Sequence, residues 1–462
     1  MKIYDSRLKK KVDFEPIREG EVSMYVCGPT VYDKAHLGHG RSAVSFDVVR
    51  KYFEYKGYKV TFVSNYTDID DKMINRANEE GISVKELSDK VIPIYERDYD
   101  LLGIAKPTVQ PKATDHIEEI IELIKDLEKN GYTYILDDGV YYDVSKFKRY
   151  GELSGQSLDE LKMGARIDVN DKKVNPYDFV LWKFKKEGEP SWKSPWGEGR
   201  PGWHIECSAM TWKHLGKKFD IHGGGLDLKF PHHECEVAQS WGAFGEKEFA
   251  QHWMHNGFIQ VNNEKMSKSL GNFFTLEDIF KVYDPQVVRF MFLQTHYGNP
   301  INFSDQLLDQ AKNALKRLQN FKSEIVAEVA IDGLMDVSGE MKDLLAKTTA
   351  DFESFMDDDF NTSGVFGVIS DLRDSVKGWK GKLTTGELFE IEKLLVKFDS
   401  VLGVIFPKKD EFIGENIEKL ITEREEARKN KNFKRSDEIR SELLEKGIVL
   451  EDTAHGTIWK KH

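Results

Sequence analysis

Hydrophobic and polar positions change period within the first part of the chain. Glu21–Val26 (EVSMYV) is rich in apolar residues and predicts a strand, and Lys59–Ser64 (KVTFVS) predicts a second strand. Between them, apolar residues at helical spacing predict a helix from about Gly38 that closes at Gly57. A strand, a helix and a strand in this order form a βαβ unit with parallel strands. Such sheets bind their ligands at the carboxyl ends of the strands.

The regular alternation of strands and helices stops over residues 111–200. Ile117–Lys129 has the pattern of a helix, whereas Gly139–Tyr142 and Phe179–Phe184 are aromatic and strand-like. They are followed by a run rich in tryptophan, proline and glycine (SWKSPWGEGRPGWH). We interpret this segment as an insertion between two halves of the sheet.

The α/β pattern resumes after the insertion. A helix is predicted from about Trp203, a strand over Lys218–Ile221, a glycine-rich stretch over His222–Gly225 and another helix from about Pro231. From residue 304 onward the pattern is almost entirely helical. This predicts a helical bundle, in which the acidic triplet at 357–359 is expected to be a solvated turn.

Composition defines the broad class of the chain. Of 462 residues, 40% are hydrophobic and 32% are charged, which excludes a collagen-like, low-complexity or wholly disordered protein. Three cysteines are too few for a disulfide scaffold and favour a reducing compartment. Since no apolar signal core or membrane-length apolar stretch occurs, we expect a cytoplasmic protein without membrane contact. The net charge of -12 disfavours indiscriminate nucleic-acid binding but permits a local basic surface.

Two histidines follow the first predicted strand. In His36-Leu37-Gly38-His39 they stand at a helix N-terminus, where backbone N–H groups and the helix dipole favour a bound phosphate. Gly38 and Gly40 have no Cβ atom, so a base or a phosphate can approach the backbone closely. The imidazoles could donate hydrogen bonds to phosphate oxygens that gain charge in a transition state. Alone, the motif also fits a loop with two ordinary surface histidines.

Two lysines occur in a polar segment far along the chain. Lys265-Met266-Ser267-Lys268-Ser269 is followed by a leucine and a glycine, and we interpret it as a mobile loop. Mobile lysines suit a bound triphosphate and the departing pyrophosphate. A lone Lys-x-x-Lys is usually a solvated surface, but its pairing with the histidine motif on a parallel α/β core indicates nucleotide chemistry.

These two motifs resemble the signatures of class I aminoacyl-tRNA synthetases. The resemblance implies a Rossmann-type core that joins an amino acid to ATP and then transfers it to tRNA. It assigns ATP binding, with Mg²⁺, to His36, Gly38, His39 and Lys268, and catalysis to both histidines together with Lys265 and Lys268. It does not identify the amino acid.

Thiol, imidazole and carboxylate side chains occur at several predicted strand-to-helix junctions. Cys27 ends the first strand, Cys207 lies early in a helix, and His232 and Glu236 are four residues apart on one predicted helix. These junctions converge on the ligand-binding edge of a parallel sheet, and such groups are reasonable Zn²⁺ ligands. Ordinary packing is the alternative for either cysteine. Because Cys235 faces nearly the same way as Glu236, ligand chemistry alone leaves open which of the two completes the set.

Longer stretches carry a more specific resemblance. The match to the cysteinyl-tRNA synthetase family runs through CGPTVY at 27–32, NYTDIDDK at 65–72, WHIECSAM at 203–210, HGGGLDLKFPHHE at 222–234 and GTIWK at 456–460. It implies one zinc ion per chain, bound by Cys27, Cys207, His232 and Glu236. Cys235 departs from the pattern of the family.

The resemblance also implies a reaction. A ligase of this family activates L-cysteine with ATP to cysteinyl-adenylate and transfers it to the 3′ end of tRNA(Cys). Zinc binds a thiolate far better than an alcohol, which would exclude serine at the first binding step. Thr67 and Trp203 are expected to line the amino-acid pocket, with a loop hydroxyl and a packed aromatic ring as the alternative. We expect a monomer whose partners are tRNA(Cys), L-cysteine and ATP.

The expected fold is α/β: a Rossmann-type parallel-sheet catalytic core with an insertion, followed by an all-helical bundle and a small C-terminal RNA-binding domain. The expected domains are 1–110 (first catalytic half), 111–200 (connective insertion), 201–303 (second catalytic half with the lysine loop), 304–405 (helical bundle) and 406–462 (anticodon binding).

Arg428–Arg435 has five basic residues around Phe433, which suits phosphates and unstacked bases. A charged amphipathic helix over Glu423–Arg440 is the plainer interpretation without the family resemblance.

Three rival functions remain to be compared with this one. A related ligase that joins cysteine to an amino sugar should lack the basic C-terminal segment. A small nucleotidyltransferase should be far shorter and does not need the metal ligands. A catalytically idle RNA-binding protein would have no use for both phosphate motifs. Cysteine-dependent ATP–pyrophosphate exchange, with and without tRNA as final acceptor, separates all of these.

Overall fold

The chain folds into two compact units, Met1–Phe406 and Pro407–His462. The computed structural model describes residues 1–155, 172–245, 249–266, 273–321, 335–379, 383–406, 420–424, 426–428, 432–445, 448–453 and 456–461. Among the helices of these residues, none is both long enough and apolar enough to span a bilayer.

Strands and helices alternate through the first unit, and helices predominate after residue 303. The strands are β1 (Lys2–Asp5), β2 (Lys10–Asp13), β3 (Glu21–Val26), β4 (Lys59–Ser64), β5 (Thr133–Leu136), β6 (Gly139–Tyr142), β7 (Phe179–Phe184), β8 (Gly199–Pro201), β9 (Phe219–Gly225), β10 (Ala250–Asn256), β11 (Ile259–Val261), β12 (Glu264–Lys265), β13 (Ile301–Phe303), β14 (Ile448–Thr453) and β15 (Gly456–Lys461). The α-helices are α1 (Leu37–Tyr55), α2 (Asp71–Glu80), α3 (Val84–Leu101), α4 (Ile117–Lys129), α5 (Trp203–Leu215), α6 (Glu234–Phe244), α7 (Leu276–Phe280), α8 (Pro285–Leu293), α9 (Asp305–Gln319), α10 (Gly339–Asp357), α11 (Thr362–Lys377), α12 (Thr385–Leu402) and α13 (Phe433–Glu445).

A four-stranded parallel sheet forms the centre of the first unit. Its order is β10–β9–β3–β4, and each neighbouring pair runs parallel. Met24, Val63, Ile221 and Met254, one from each strand, are fully buried, as expected for a sheet covered on both faces. Since β3 and β4 precede the insertion and β9 and β10 follow it, the predicted two-part parallel sheet is confirmed. The carboxyl ends of all four strands meet at one edge.

Two boundaries near this edge differ from the predictions. The strand β9 continues through the glycine-rich stretch to Gly225, because that stretch pairs with β10 and, as far as Gly223, with β3 on its other side. A Cβ atom on Gly223 would lie 2.3 Å from the ring of Phe46, so this glycine allows α1 to pack closely on the sheet. The next helix begins at Glu234 rather than at the preceding proline, because a wide turn over Lys229–His233 comes first.

The insertion and the bundle have the elements that the pattern predicts. Strands β5–β6–β7–β8 form an antiparallel sheet, and the helix over Ile117–Lys129 has the predicted bounds. Helices α9 to α12 follow the catalytic region. Arg289 of α8 donates hydrogen bonds to the Asp47 carboxylate of α1 and to the Leu402 carbonyl, both at 2.7 Å. This buried arginine therefore fastens the end of α12 to the helix that carries the histidine motif.

The acidic triplet at the end of α10 is only in part the solvated turn that the sequence suggested, because Asp358 is exposed but Asp359 is buried. Asp359 is 2% exposed and accepts hydrogen bonds from the Tyr4 backbone N–H and the Tyr297 hydroxyl, each at 2.8 Å. Asp357 accepts a hydrogen bond from the Tyr52 hydroxyl at 2.7 Å. Only contacts distant in sequence satisfy these carboxylates, so local charge patterning could not show them.

The second unit contains α13 and the antiparallel hairpin β14–β15. Its described core consists of Ile421, Ile439, Leu443 and Leu450. In the basic run, residues 429–431 lie outside the described residues. Phe433 at the start of α13 is 61% exposed.

Candidate active site

A cleft of about 350 Å³ opens at the carboxyl ends of the central strands. Its walls come from the ends of the four strands, the first turns of α1 and α5, and the segment leading to β11. Eight of the residues predicted for the site line it: Cys27, His36, Gly38, His39, Thr67, Trp203, Cys207 and His232. Lys265 ends β12, and Lys268 lies outside the described residues, as does the predicted mobile loop from Ser267.

The predicted metal ligands converge on one wall of this cleft. The Cys27 Sγ atom lies 3.7 Å from Cys207 Sγ and 3.5 Å from Glu236 Oε1. His232 Nε2 lies 3.1 Å from the same Glu236 oxygen. One ligand atom from each of these four residues lies within 4.8 Å of the others, and we call them the thiol cluster. Three separate segments supply them: the end of β3, α5, and the turn before α6 together with its first residues.

The electrostatics of the thiol cluster suit a soft divalent cation. Burial, together with Cys207 and Glu236, raises the pKa of the Cys27 thiol well above its ordinary value. Burial lowers the pKa of His232 to about 3, so its imidazole is neutral and can act as a ligand. Sulfur, nitrogen and carboxylate donors at these separations match the ligands that Zn²⁺ accepts, and a cation relieves the repulsion that opposes ionisation of the thiols.

The third cysteine lies on another face of its helix. The Cys235 Sγ atom is buried and lies 3.4 Å from the hydroxyl of Tyr150, which belongs to the insertion. Neither candidate set of metal ligands among the described residues includes Cys235. Because α6 begins at Glu234, His232 lies outside the helix, and simple helical spacing from it does not predict the direction of Cys235. The geometry therefore favours Glu236.

Two other histidines contact the thiol cluster and were not predicted. His222 Nε2 lies 2.8 Å from Glu236 Oε2, with both side chains fully buried. His204 Nδ1 lies 2.9 Å from His232 Nδ1. These contacts orient the carboxylate and the imidazole from behind, as outer hydrogen bonds do in metal sites. His222 could have been found from its position in the strand leading to the ligand-binding edge. A second set of potential ligands, formed by Cys27, His222, His233 and Glu236, shares two residues with the cluster.

The histidine motif forms a reciprocal cap on α1. His36 Nδ1 accepts hydrogen bonds from the backbone N–H groups of Gly38 at 3.0 Å and His39 at 3.3 Å. His39 Nδ1 accepts one from the His36 backbone N–H at 3.3 Å. The two rings stack with centroids 3.6 Å apart. Since both Nδ1 atoms act as acceptors, each neutral imidazole carries its proton on Nε2, which makes Nε2 a donor.

The two glycines of the motif have different roles. Gly38 lines the cleft, as expected for a residue that leaves the backbone accessible. Gly40 does not: it is buried, and a Cβ atom there would lie 3.0 Å from the Leu276 side chain and 3.2 Å from that of Leu102. The expectation that Gly40 serves ligand approach is therefore wrong, because helix packing already fills that space.

The predicted amino-acid pocket residues lie beside the thiol cluster. The Trp203 ring stacks on the His232 ring with centroids 4.5 Å apart and is 38% exposed. Thr67 Oγ1 accepts a hydrogen bond from Asn65 Nδ2 at 3.3 Å. Asn65 Oδ1 in turn accepts one from the Gly28 backbone N–H at 2.9 Å. The bond from Gly28 to Asn65 holds the loop after β4 against the loop after β3.

Comparison with known proteins decides the family. The family model "tRNA synthetases class I (C) catalytic domain" matches residues 13–313, the DALR domain matches 351–406, and the "Cysteinyl-tRNA ligase anticodon binding domain" matches 412–459. Proteins named cysteine--tRNA ligase from Clostridioides difficile (strain 630) and Carboxydothermus hydrogenoformans are each 50% identical to this chain over the full length of both. The chain belongs to the cysteine--tRNA ligase family. The class I synthetase family predicted from the motifs is thereby confirmed.

Solved structures confirm the fold of this family member. Methionyl-tRNA synthetase of Mycobacterium tuberculosis, in complex with methionyl-adenylate, matches with a TM-score of 0.60 at 15% identity, covering 83% of this chain and 88% of that one. The LeuRS of Agrobacterium radiobacter K84, in a ternary complex with tRNA, matches with a TM-score of 0.62 at 12% identity, covering 85% of each chain. At such identities the likeness shows the class I catalytic fold alone.

Proposed function

We propose that this member of the cysteine--tRNA ligase family activates L-cysteine with ATP and transfers it to the 3′ end of tRNA(Cys), and that a zinc ion selects the thiol. The observation that carries the proposal is the thiol cluster, which shares one cleft with the histidine motif. An amino acid held at the cluster and a nucleotide held at the motif would meet inside that cleft.

Cys27, Cys207, His232 and Glu236 hold the zinc ion in this proposal. The ion supplies a soft, positively charged partner for the thiolate of free cysteine, which the hydroxyl of serine cannot match. The fit rests on the donor types, on their mutual distances of no more than 4.8 Å, and on the neutral His232 imidazole. His222 and His204 keep the Glu236 carboxylate and the His232 ring in place.

Activation needs no nucleophile from the protein. A carboxylate oxygen of cysteine attacks the α-phosphorus of ATP, a P–O bond forms, and the bond to the bridging oxygen breaks so that pyrophosphate leaves with Mg²⁺. His36 and His39 donate from Nε2 to the α-phosphate oxygens as their charge grows. Gly38 gives the nucleotide access to the backbone. Lys265 and Lys268 hold the triphosphate and then the pyrophosphate.

Transfer takes place in the same cleft. A ribose hydroxyl of the terminal adenosine of tRNA attacks the carbonyl carbon of the adenylate, an ester forms and AMP leaves. Thr67 and Trp203 line the amino-acid side of the pocket. The donors already directed at the α-phosphate oxygens remain in place while AMP departs.

The division of labour follows the predicted domains, with catalysis in 1–110 and 201–303, a connective insertion at 111–200, a helical bundle at 304–405 and anticodon binding at 406–462. Two observations support it: the match of 412–459 to an anticodon-binding family, and the exposed Phe433 beside basic residues. Deletion from Pro407 onward should spare adenylate formation and impair tRNA charging. Equal loss of both activities would contradict this division.

The decisive experiment combines metal analysis with cysteine-dependent ATP–pyrophosphate exchange. We expect one zinc ion per chain, exchange with cysteine, and none above background with serine. Protein without bound metal that still distinguishes cysteine from serine would refute the zinc proposal. Exchange without subsequent charging of tRNA(Cys) would refute the second half-reaction. The free state of the three cysteines suits the reducing cytoplasm, and we expect a monomer.

A further inference from the structure

Among the described residues of the first unit, three arginines are almost completely buried, and Arg41 differs from the other two. Arg289 pairs with the Asp47 carboxylate, and Arg200 pairs with Asp71 and Glu189. Arg41 forms no ion pair with a carboxylate among the described residues, although it is 1% exposed. Burial lowers its pKa to about 10, so the guanidinium remains charged at neutral pH.

Backbone carbonyls take the place of a counter-ion for Arg41. Its Nη1 atom donates to the Phe258 carbonyl at 3.0 Å, and Nη2 donates to the carbonyls of Tyr297, at 3.2 Å, and Asn299. Phe258 lines the cleft and immediately precedes β11, which leads through β12 to Lys265. The planar guanidinium thus joins the second turn of α1 to the start of the segment that carries the lysines.

The other end of the lysine segment is also fastened to the histidine motif. The Leu37 backbone N–H donates to the Phe274 carbonyl at 3.2 Å, and the Leu276 backbone N–H donates to the Ala35 carbonyl at 2.9 Å. The ring of Phe273 lies 5.1 Å from that of His36. The residues before and after the lysine loop are therefore both bonded to the beginning of α1. On the incoming side, the Arg41 side chain makes this connection through the Phe258 carbonyl.

We infer that Arg41 is a positioning residue for activation, which holds the segment Phe258–Lys265 in register with His36 and His39. The inference rests on the proposed function, in which the lysines and the histidines act on one triphosphate. Catalysis of phosphoryl transfer depends on such placement of charges, and a displacement of about 1 Å can cost on the order of 100-fold in rate. A buried charge is retained here because one guanidinium can satisfy several carbonyl groups at once.

The test compares Arg41→Lys and Arg41→Met with Arg289→Met, which removes another buried arginine. For both Arg41 variants we expect kcat for cysteine-dependent pyrophosphate exchange to fall by about 10- to 100-fold, with Arg41→Lys the milder. Bound zinc and KM for cysteine should stay unchanged. Arg289→Met should lower the melting temperature and leave kcat of the folded protein within about threefold. If Arg41→Met does not fold, Arg41→Lys carries the test.

A double-mutant cycle separates positioning from general support of the fold. Lys268→Ala alone should lower exchange strongly. If Arg41 acts through the lysine segment, its substitution matters less once Lys268 is gone. Adding Arg41→Lys to Lys268→Ala should therefore lower the exchange rate by a further factor of less than about three. The inference is overturned if the loss in the double variant equals the product of the two single-variant losses. It is also overturned if Arg41→Lys has a normal kcat. Normal exchange by Lys268→Ala would instead overturn the role that the proposed function gives to that lysine.

Discussion

The histidine motif and the thiol cluster, which we call the two ends of the cleft, are assembled in opposite ways. The histidine motif is local: His36 and His39 cap one another within a single turn at the start of α1. The thiol cluster joins Cys27 to Cys207 and Glu236, which come from both sides of the insertion. Its members are within bonding reach only because β3 and β9 are neighbours in the sheet.

Because of this difference, substitutions in the histidine motif and in the thiol cluster should change different properties of the protein. The local motif keeps its shape as long as α1 is folded, so a substitution there should change the rate of chemistry and little else. The thiol cluster depends on several elements and on donors of different kinds. A substitution there should therefore change metal content and substrate choice together.

The largest effect should come from the thiol cluster. In Cys207→Ser, cysteine-dependent exchange should fall by on the order of 1,000-fold or more, and bound zinc should be lost, because an alcohol is a poor ligand for this ion. Metal analysis and exchange on the same preparation test both effects. Near-normal exchange by this variant would contradict the role of the cluster.

Substitutions in the histidine motif should have a smaller effect, and this effect should be confined to the rate of exchange. In His39→Ala, kcat for exchange should fall by about 100- to 1,000-fold, because one donor to the α-phosphate is removed. Zinc content and the affinity for cysteine should match the unmodified protein. Loss of zinc in this variant would show that the two ends are not independent.

A stability change near the middle of α1 should leave both the histidine motif and the thiol cluster intact. Burial opposes ionisation of Asp47, but Arg289 and Lys51 hold its pKa below the ordinary value. Asp47→Asn leaves the Arg289 charge unpaired and should cost about 3 to 5 kcal/mol of unfolding free energy at pH 7. Urea unfolding followed by exchange assays on the folded fraction tests this.

The same pair predicts a pH dependence. A carboxylate with a lowered pKa in the folded state stabilises the protein above its unfolded pKa of about 3.9, and this contribution is lost as the pH falls through the folded value. The unfolding free energies of Asp47→Asn and the unmodified protein should therefore converge in acid. A difference that stays constant down to about pH 3 would exclude this explanation.

The smallest effect should come from the third cysteine. Cys235→Ser changes a buried thiol that contacts Tyr150 and not the thiol cluster. Zinc content and exchange should stay within about twofold, with a loss of about 1 kcal/mol in stability. This variant is the matched control for Cys207→Ser, and loss of zinc from it would mean that Cys235 contributes a ligand.

Sequence alone determined the features that depend on neighbours along the chain. Periodicity identified β3, β4 and α4 with their observed bounds, since strand and helix patterns are local. The predicted strand before His36 and the predicted helix after it were enough to place His36 and His39 at a helix N-terminus. The motifs also identified the family, because they preserve residue types in order.

Only the tertiary structure decided what depends on contacts between distant segments. The geometry favours Glu236 over Cys235 because of the turn before α6, and the contact of His222 is with the neighbouring Glu236 carboxylate. Burial of Asp359 and the carbonyl contacts of Arg41 are likewise invisible to charge patterning. For Asp359 and Arg41 the physical reason is the same: a buried polar group has to be paired, and the partners that pair it lie far away in sequence.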